Sequence, residues 1–241
     1  MKNSIILLGI FAMLISCTKD EAKSSLDLNS SSITIHYDES YKLSYTVTPE
    51  NSEILWFSSD EYIAKVNQEG SVSGQHIGET DIKAKTTDKE AFSKVTIKPY
   101  FDYFKEPIVD FGSSMTYVKE NEPSNLLNEI TDGLLYEGSS IYVDYLMYIF
   151  ESQKLTSASY ILSDNILTVN STDFSTFFKE RYNPFGVADD IVMYRNNEMV
   201  VAIQVYEGVL MVMYIEYTSK KSNDYITEFK KNREKLIAQL Q

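Results

Sequence analysis

The chain has 241 residues and carries 22 basic against 35 acidic side chains, a formal net charge of −13, with 43% hydrophobic residues, nine glycines and five prolines. That length accommodates one large or two small domains, and the composition is that of a globular chain, not a disordered or fibrous one. The acidity argues against nucleic acid, whose binding draws on clustered Lys and Arg releasing counterions, while one cysteine and two histidines exclude an internal disulfide and leave little for a zinc site.

The N-terminus reads Met1-Lys2-Asn3 and then an apolar run from Ile5 to Ile15. That run is too short for a membrane-spanning helix, which needs about 20 residues, but it has the length of a signal-peptide core behind the positive Lys2. Within it, Leu14-Ile15-Ser16-Cys17 resembles the lipobox of bacterial lipoproteins: an aliphatic residue three before the cysteine, a small one just before it, and a thiol that accepts diacylglycerol. The resemblance implies removal of residues 1–16, lipidation of Cys17, and a membrane partner reached through that lipid. Loss of Lys2 moves the balance to 21 − 35 = −14. Residues 17–25 are polar, without aliphatic anchors, and read as a tether. In it, Lys19-Asp20-Glu21 resembles the short acidic export signal of Bacteroidetes lipoproteins, which implies display on the outer face of the outer membrane.

From residue 26 to 98 the pattern is short alternating segments separated by turn clusters. Ile33 and Ile35, then Tyr41, Leu43, Tyr45 and Val47, are spaced by single residues, and Pro49-Glu50-Asn51-Ser52 and Asn67-Gln68-Glu69-Gly70 punctuate them. Period two with β-branched and aromatic residues means half-buried strands, and strands with turns about every ten residues indicate a β-sandwich. Trp56 is predicted to fill its centre, and His36 and His76, without metal-ligand spacing, to lie on the surface. The order of Pro49, the run Trp56-Phe57-Ser58-Ser59-Asp60, Ile63-Ala64-Lys65-Val66, Gly70, Val72, Gly74, Gly78 and Ile82-Lys83-Ala84 resembles the bacterial Ig-like domain, group 2. Glu39-Ser40 and Phe57 depart from that pattern. The resemblance implies a spacer or adhesive module of a cell-surface protein.

Residues 99–220 begin a second domain at Pro99, and fourteen of the eighteen tyrosines lie from Tyr100 onward. Helices are predicted from Met115 toward Pro123, with a serine N-cap, and over Asp173–Tyr182, capped by Ser171 or Thr172. Strands are predicted at Leu134–Glu137, Ile141–Phe150, Lys154–Leu162, Asp190–Tyr194, Glu198–Tyr206 and Val209–Tyr217. The order helix, strand, strand, strand thus occurs twice, with Tyr136 over Tyr194 and Tyr160 over Tyr214. The pattern looks like the β-lactamase-inhibitor-protein-like architecture, which implies an α+β domain with one antiparallel sheet and helices on one face. Residues 221–241 carry Ile226, Phe229, Leu236, Ile237 and Leu240 at helical spacing, an amphipathic helix that docks on this domain.

Alternation puts the aliphatic face of the sheet under the helices. It leaves a mixed face of Tyr142, Asp144, Tyr148, Tyr160, Gln204, Tyr206, Tyr214 and Glu216, the candidate site for a protein or glycan, since tyrosine supplies stiff contact area with a polar tip. No nucleophile elbow, zinc helix, phosphate loop or dinucleotide fingerprint occurs, and the adjacent carboxylates Asp189-Asp190 read as turn residues. No cofactor is expected. The leading reading is a non-enzymatic surface lipoprotein. A periplasmic protein that inhibits or scaffolds a hydrolase is the alternative, and a carbohydrate-active enzyme the third.

Overall fold

Residues 23–219 and 222–240 are described by the computed structural model; the predicted leader, Cys17 and residues 18–22 of the predicted tether lie outside them. Strands β1 (Ser25–Leu28) and β4 (Tyr45–Thr48) pair with each other. Strands β3 (Ser40–Lys42), β7 (Ser71–Gly74) and β6 (Ala64–Val66) form a three-stranded sheet, and β2 (Ser32–His36), β9 (Glu90–Lys98), β8 (Gly78–Lys85) and β5 (Leu55–Ser58) a four-stranded one, in those orders. The predicted sandwich is present. In β2, Ile33 and Ile35 point inward while Ser32 and Thr34 point out, the two-residue period that a sheet with one buried face requires. The core between the sheets holds Leu43, Trp56, Val72, Ile82 and Val95, and Trp56 is 2% exposed.

After a segment without regular structure come α1 (Met115–Asn121), β10 (Leu126–Ile130), β11 (Gly133–Glu137), β12 (Val143–Glu151) and β13 (Lys154–Leu162). Then follow α2 (Ser171–Lys179), β14 (Asn183–Ala188), β15 (Ile191–Arg195), β16 (Met199–Tyr206), β17 (Val209–Glu216) and α3 (Ser222–Leu240). The eight strands make one antiparallel sheet in the order β10-β11-β12-β13-β17-β16-β15-β14. Two meanders therefore enter from opposite edges and meet at the β13–β17 seam. The outer strands β10 and β14 carry no sequence signal of the period-two kind. β10 faces solvent over most of its length, and β14 contains Pro184 and Gly186, residues that a sheet tolerates at an edge but not in its middle.

The expected α+β domain with helices on one face is overturned. The chain is mostly β, 47% strand against 17% helix, and helical cover lies on both sides of the sheet. On the front, Val118 of α1 and Phe177 and Phe178 of α2 join Tyr136, Tyr148, Tyr160, Tyr194 and Tyr214 in one core. On the back, Tyr225, Ile226 and Phe229 of α3 pack on Met193, Val200 and Met213, and Leu236 packs on Met147 and Ile149. The predicted docking of the terminal helix is observed, against the aliphatic face. The helices of the tandem units instead cover the tyrosine face, because a tyrosine ring buries as much apolar area as an aliphatic side chain once its hydroxyl finds a partner.

Local signals explain the element ends. The Ser114 side chain accepts from the Tyr117 amide at 3.1 Å and starts α1. Asn170, not Ser171 or Thr172, caps α2, its side chain accepting from the Thr172 amide at 2.7 Å. Ser152-Gln153, Asp189-Asp190 and Glu207-Gly208 all have positive φ, as two-residue hairpin turns require, so Asp189 and Asp190 are turn residues.

Candidate functional site

The eight residues predicted to share a solvent face do not form one. Tyr148, Tyr160 and Tyr214 are buried on the front of the sheet at 0%, 2% and 1% exposure. Gln204 and Tyr206 lie on the back, under α3, where the Arg233 guanidinium stands 3.8 Å from the Tyr206 ring and donates to the Gln204 carbonyl oxygen at 2.8 Å. The register sets this split: Tyr160 is opposite Val212, and Gln204 is opposite the neighbouring Met211, so Tyr160 and Gln204 point to opposite faces. Tyr142 is half-buried, while Asp144 and Glu216 are exposed. A bulge between Val143 and Tyr145 breaks the alternation that had grouped Tyr142 and Asp144 with Tyr148.

The front-face hydroxyls instead hold down the segment that leads out of the sandwich. Tyr148 donates to Glu122 at 2.5 Å and accepts from the Ile108 amide at 3.0 Å. Tyr160 donates to the Lys105 carbonyl at 3.0 Å, and Tyr182 donates to the Glu106 carboxylate. Burial first, and neighbouring carboxylates second, push the Tyr148 and Tyr160 phenols far above their ordinary value. Tyr182 moves the same way, chiefly through burial. All three remain protonated donors.

Pinned in this way, residues 102–108 wall a cleft of about 400 Å³ whose polar lining includes Asp102, Lys105, Glu106, Glu122, Ser139 and Ser140. Tyr103 stands at its edge, stacked on Phe101 at 5.6 Å and edge-on to Tyr142 at 5.3 Å. Tyr100, 45% exposed, continues the aromatic strip by stacking on His36 at 4.7 Å. On the other side of the same segment a second cleft of about 410 Å³ runs between Glu106, Tyr182 and Asn196 and reaches Tyr62 and Ile77 of the sandwich. Carboxylates, hydroxyls and aromatic faces within one concavity can accept hydrogen bonds from a polyhydroxylated ligand and stack on its apolar faces. Sequence reasoning read Tyr100 to Glu106 only as the start of a domain. The usable signal was four aromatics in five residues, interrupted by Asp102, without strand or helix period.

The sandwich and the sheet meet at a fixed joint. The Ile77 amide donates to the Glu180 carbonyl at 2.7 Å, and the Tyr62 hydroxyl to the Arg181 carbonyl at 2.7 Å. His76, predicted at the surface, is 7% exposed here, stacked on Tyr62 at 3.9 Å with Nδ1 2.7 Å from the Tyr62 carbonyl. Burial pulls its pKa below the ordinary 6.5, against the hydrogen bonds to Tyr62 and Tyr182 that favour the charged ring. Below about pH 6.5 the unfolded chain therefore takes up a proton that the folded one resists, and stability falls as pH falls. His76→Gln should flatten that decline, read as urea midpoints of the two proteins from pH 7 to 5.

Residues 24–98 match the model of the bacterial Ig-like domain (group 2). These residues form a bacterial Ig-like domain. The three- and four-stranded sheets around Trp56 are thus the group's sandwich, and Tyr62, His76 and Ile77 are the Ig-like domain's side of the joint. No curated protein sequence matches the chain. Among solved structures, the surface layer protein SbsC, domains 1–6, is similar at 10% identity over 80% of this chain, with a TM-score of 0.27. This chain spans 21% of the length of that one. Human protocadherin-24 EC1-2 is similar at 10% identity over 80% of this chain and 93% of its own, TM-score 0.26. The SGBP-B of a Bacteroides ovatus mixed-linkage glucan utilization locus, in complex with a mixed-linkage heptasaccharide, is similar at 9% identity over 79% and 58%, TM-score 0.24. Among the described residues no group of three or more His, Cys, Asp and Glu side chains could hold a metal ion.

Proposed function

We propose that the chain is a lipid-anchored, non-enzymatic protein of the outer cell surface, whose Ig-like domain spaces a sheet domain that binds a glycan in the cleft beside residues 102–108. The observation that carries the binding reading is the cleft itself: Glu122, Glu106 and Asp102 supply acceptors for sugar hydroxyls, and Tyr103, braced by Phe101 and Tyr142, offers a ring for the apolar face of a sugar. Leu14-Ile15-Ser16-Cys17 supports the anchor, and the Ig-like domain fits a cell-surface spacer.

Glycan-array binding by the chain without its leader, followed by titration of the best glycan, tests the site. Tyr103→Ala should lower affinity about tenfold, the loss of one aromatic contact, and, because the ring also packs on Phe101, Tyr142 and Phe177, lower the thermal midpoint by a few degrees. Asp102→Asn, at an exposed position of the cleft wall, should weaken binding with the midpoint unchanged. An array without any bound glycan overturns the reading. The anchor is tested separately: cells making the wild-type chain should incorporate labelled palmitate, and those making Cys17→Ser should not. Protease treatment of intact cells should remove a surface-displayed protein and spare a periplasmic one.

A further inference from the structure

We propose that the outer face of the four-stranded sheet of the Ig-like domain is a second membrane contact, which lays this domain against an anionic lipid surface beside its tether. The inference rests on the reading that Cys17 is the anchored residue. Leu55, Phe57 and Phe92 are 44%, 45% and 53% exposed, and the register Phe57–Lys83–Phe92 beside Leu55–Lys85–Glu90 gathers them in two adjoining rows across β5, β8 and β9. Single exposed apolar residues are ordinary on soluble proteins. Three on one sheet, interleaved with lysines, form a patch. Phe57 is also a position at which the sequence departs from the Ig-like pattern.

Charge favours the same occupant. The chain is strongly acidic, yet here Lys83 and Lys85 share the single carboxylate of Glu90, at 3.6 and 3.1 Å, and Lys83 lies 5.5 Å from the centre of the Phe57 ring. Within these two rows lysines outnumber carboxylates two to one; Asp81 and Glu79 follow on the same face of β8, with Lys94 opposite Asp81 and paired with Glu79 at 2.7 Å. Lysine stems can lie along apolar surface while the ammonium groups meet lipid phosphates, and aromatic side chains settle at the headgroup boundary.

The tether ends at this face. Ser24 donates to Asp88 at 2.5 Å, and Asp88 lies in the turn that joins β8 to β9. Seven residue steps from Cys17 to Ser24 span at most about 25 Å, so lipid on Cys17 holds Ser24 and the β8–β9 turn at the rim of this sheet within that distance of the headgroups. A single attachment point leaves the orientation of the domain free. Phe57, Phe92 and the two lysines would fix it, with the sheet domain held at one side.

The test couples the chain from residue 17 through its Cys17 thiol to a maleimide lipid in phosphatidylcholine–phosphatidylglycerol vesicles that carry brominated lipid. The tether is then chemical, and the outcome is independent of whether cells acylate Cys17, which palmitate labelling decides. Phe92→Trp reports the patch, Ser73→Trp on β7 of the opposite sheet is the control, and the unsubstituted chain supplies the Trp56 background. Quenching several-fold stronger at position 92 than at 73, reduced when Lys83→Gln and Lys85→Gln are added, is expected, each lysine counting for roughly fivefold in partitioning. Equal quenching at the two positions, or quenching at 92 that ignores the lysines, overturns the proposal.

Discussion

Glu180→Ala should cost about 3–5 kcal/mol, the loss that follows when one partner of a buried ion pair is removed. Glu180 is fully buried, and its Oε1 lies 2.5 Å from Nη1 of Arg181, which is itself 8% exposed. The same carboxylate accepts from the Tyr100 amide at 2.8 Å and from the Phe101 amide at 3.4 Å. Alanine therefore leaves a largely buried guanidinium and two amides without their carboxylate. Arg181 cannot swing out cheaply, because it also donates to the carbonyls of Phe177 and Phe101 and lies 3.9 Å from the Phe177 ring. Urea denaturation followed by far-UV circular dichroism reads the loss. Limited proteolysis reads its location, since release of Tyr100 and Phe101 should open the segment 100–106 to cleavage. Glu180→Gln keeps one acceptor oxygen, loses the charge and the other acceptor, and turns an NH2 donor toward either the Tyr100 amide or Arg181; it should fall between the alanine variant and the wild type. Equal stability of all three proteins would mean that the joint contributes nothing beyond the packing around it.

That joint also shows where a sequence stops being legible. The Ig-like sandwich was readable because each of its strands buries one face, so that Ile33 and Ile35, or Ile82 and Ala84, print their environment as a two-residue period. The sheet of the second domain is covered on both sides. In β12 the run from Leu146 to Phe150 is buried throughout, and alternation there separates two apolar environments instead of apolar from wet. A mixed face therefore reads as a solvent face, whereas Tyr148, Tyr160 and Tyr214 are core residues, the first two with hydroxyls directed at Glu122 and the Lys105 carbonyl. The parity error at Gln204 and Tyr206 has a second cause: the face was carried from strand to strand by counting, and one unanticipated register places each strand's residues on the other side. Edge strands β10 and β14 escaped because exposure removes the period and Pro184 and Gly186 mimic a loop. The clefts and the Glu180 joint depend on contacts such as Tyr160 with Lys105, Tyr182 with Glu106 and Tyr62 with Arg181, 55, 76 and 119 positions apart, which no local pattern encodes.

Trp56→Ala should cost the Ig-like domain about 3–5 kcal/mol, the usual result of truncating a buried large aromatic to alanine. Against a total domain stability of about 5–15 kcal/mol, that leaves a sandwich close to unfolding at physiological temperature. Gly70→Ala should act on the same spot from the other side. Gly70 has φ +78°, which only glycine adopts without strain, and a Cβ there would stand 2.7 Å from Cζ2 of Trp56 and 3.0 Å from the Leu43 carbonyl oxygen. The clash with the ring exists only while the ring is present. In the Trp56→Ala background, Gly70→Ala therefore retains its backbone strain and its contact with Leu43 but loses the ring overlap, and the double variant should be more stable than the sum of the two losses predicts. Trp56 is the only tryptophan of the chain, so its fluorescence follows unfolding of the Ig-like domain alone in the wild type and in Gly70→Ala. Circular dichroism serves for the variants that lack it. Strict additivity would show that Gly70 is held by its turn and not by the indole packed against it.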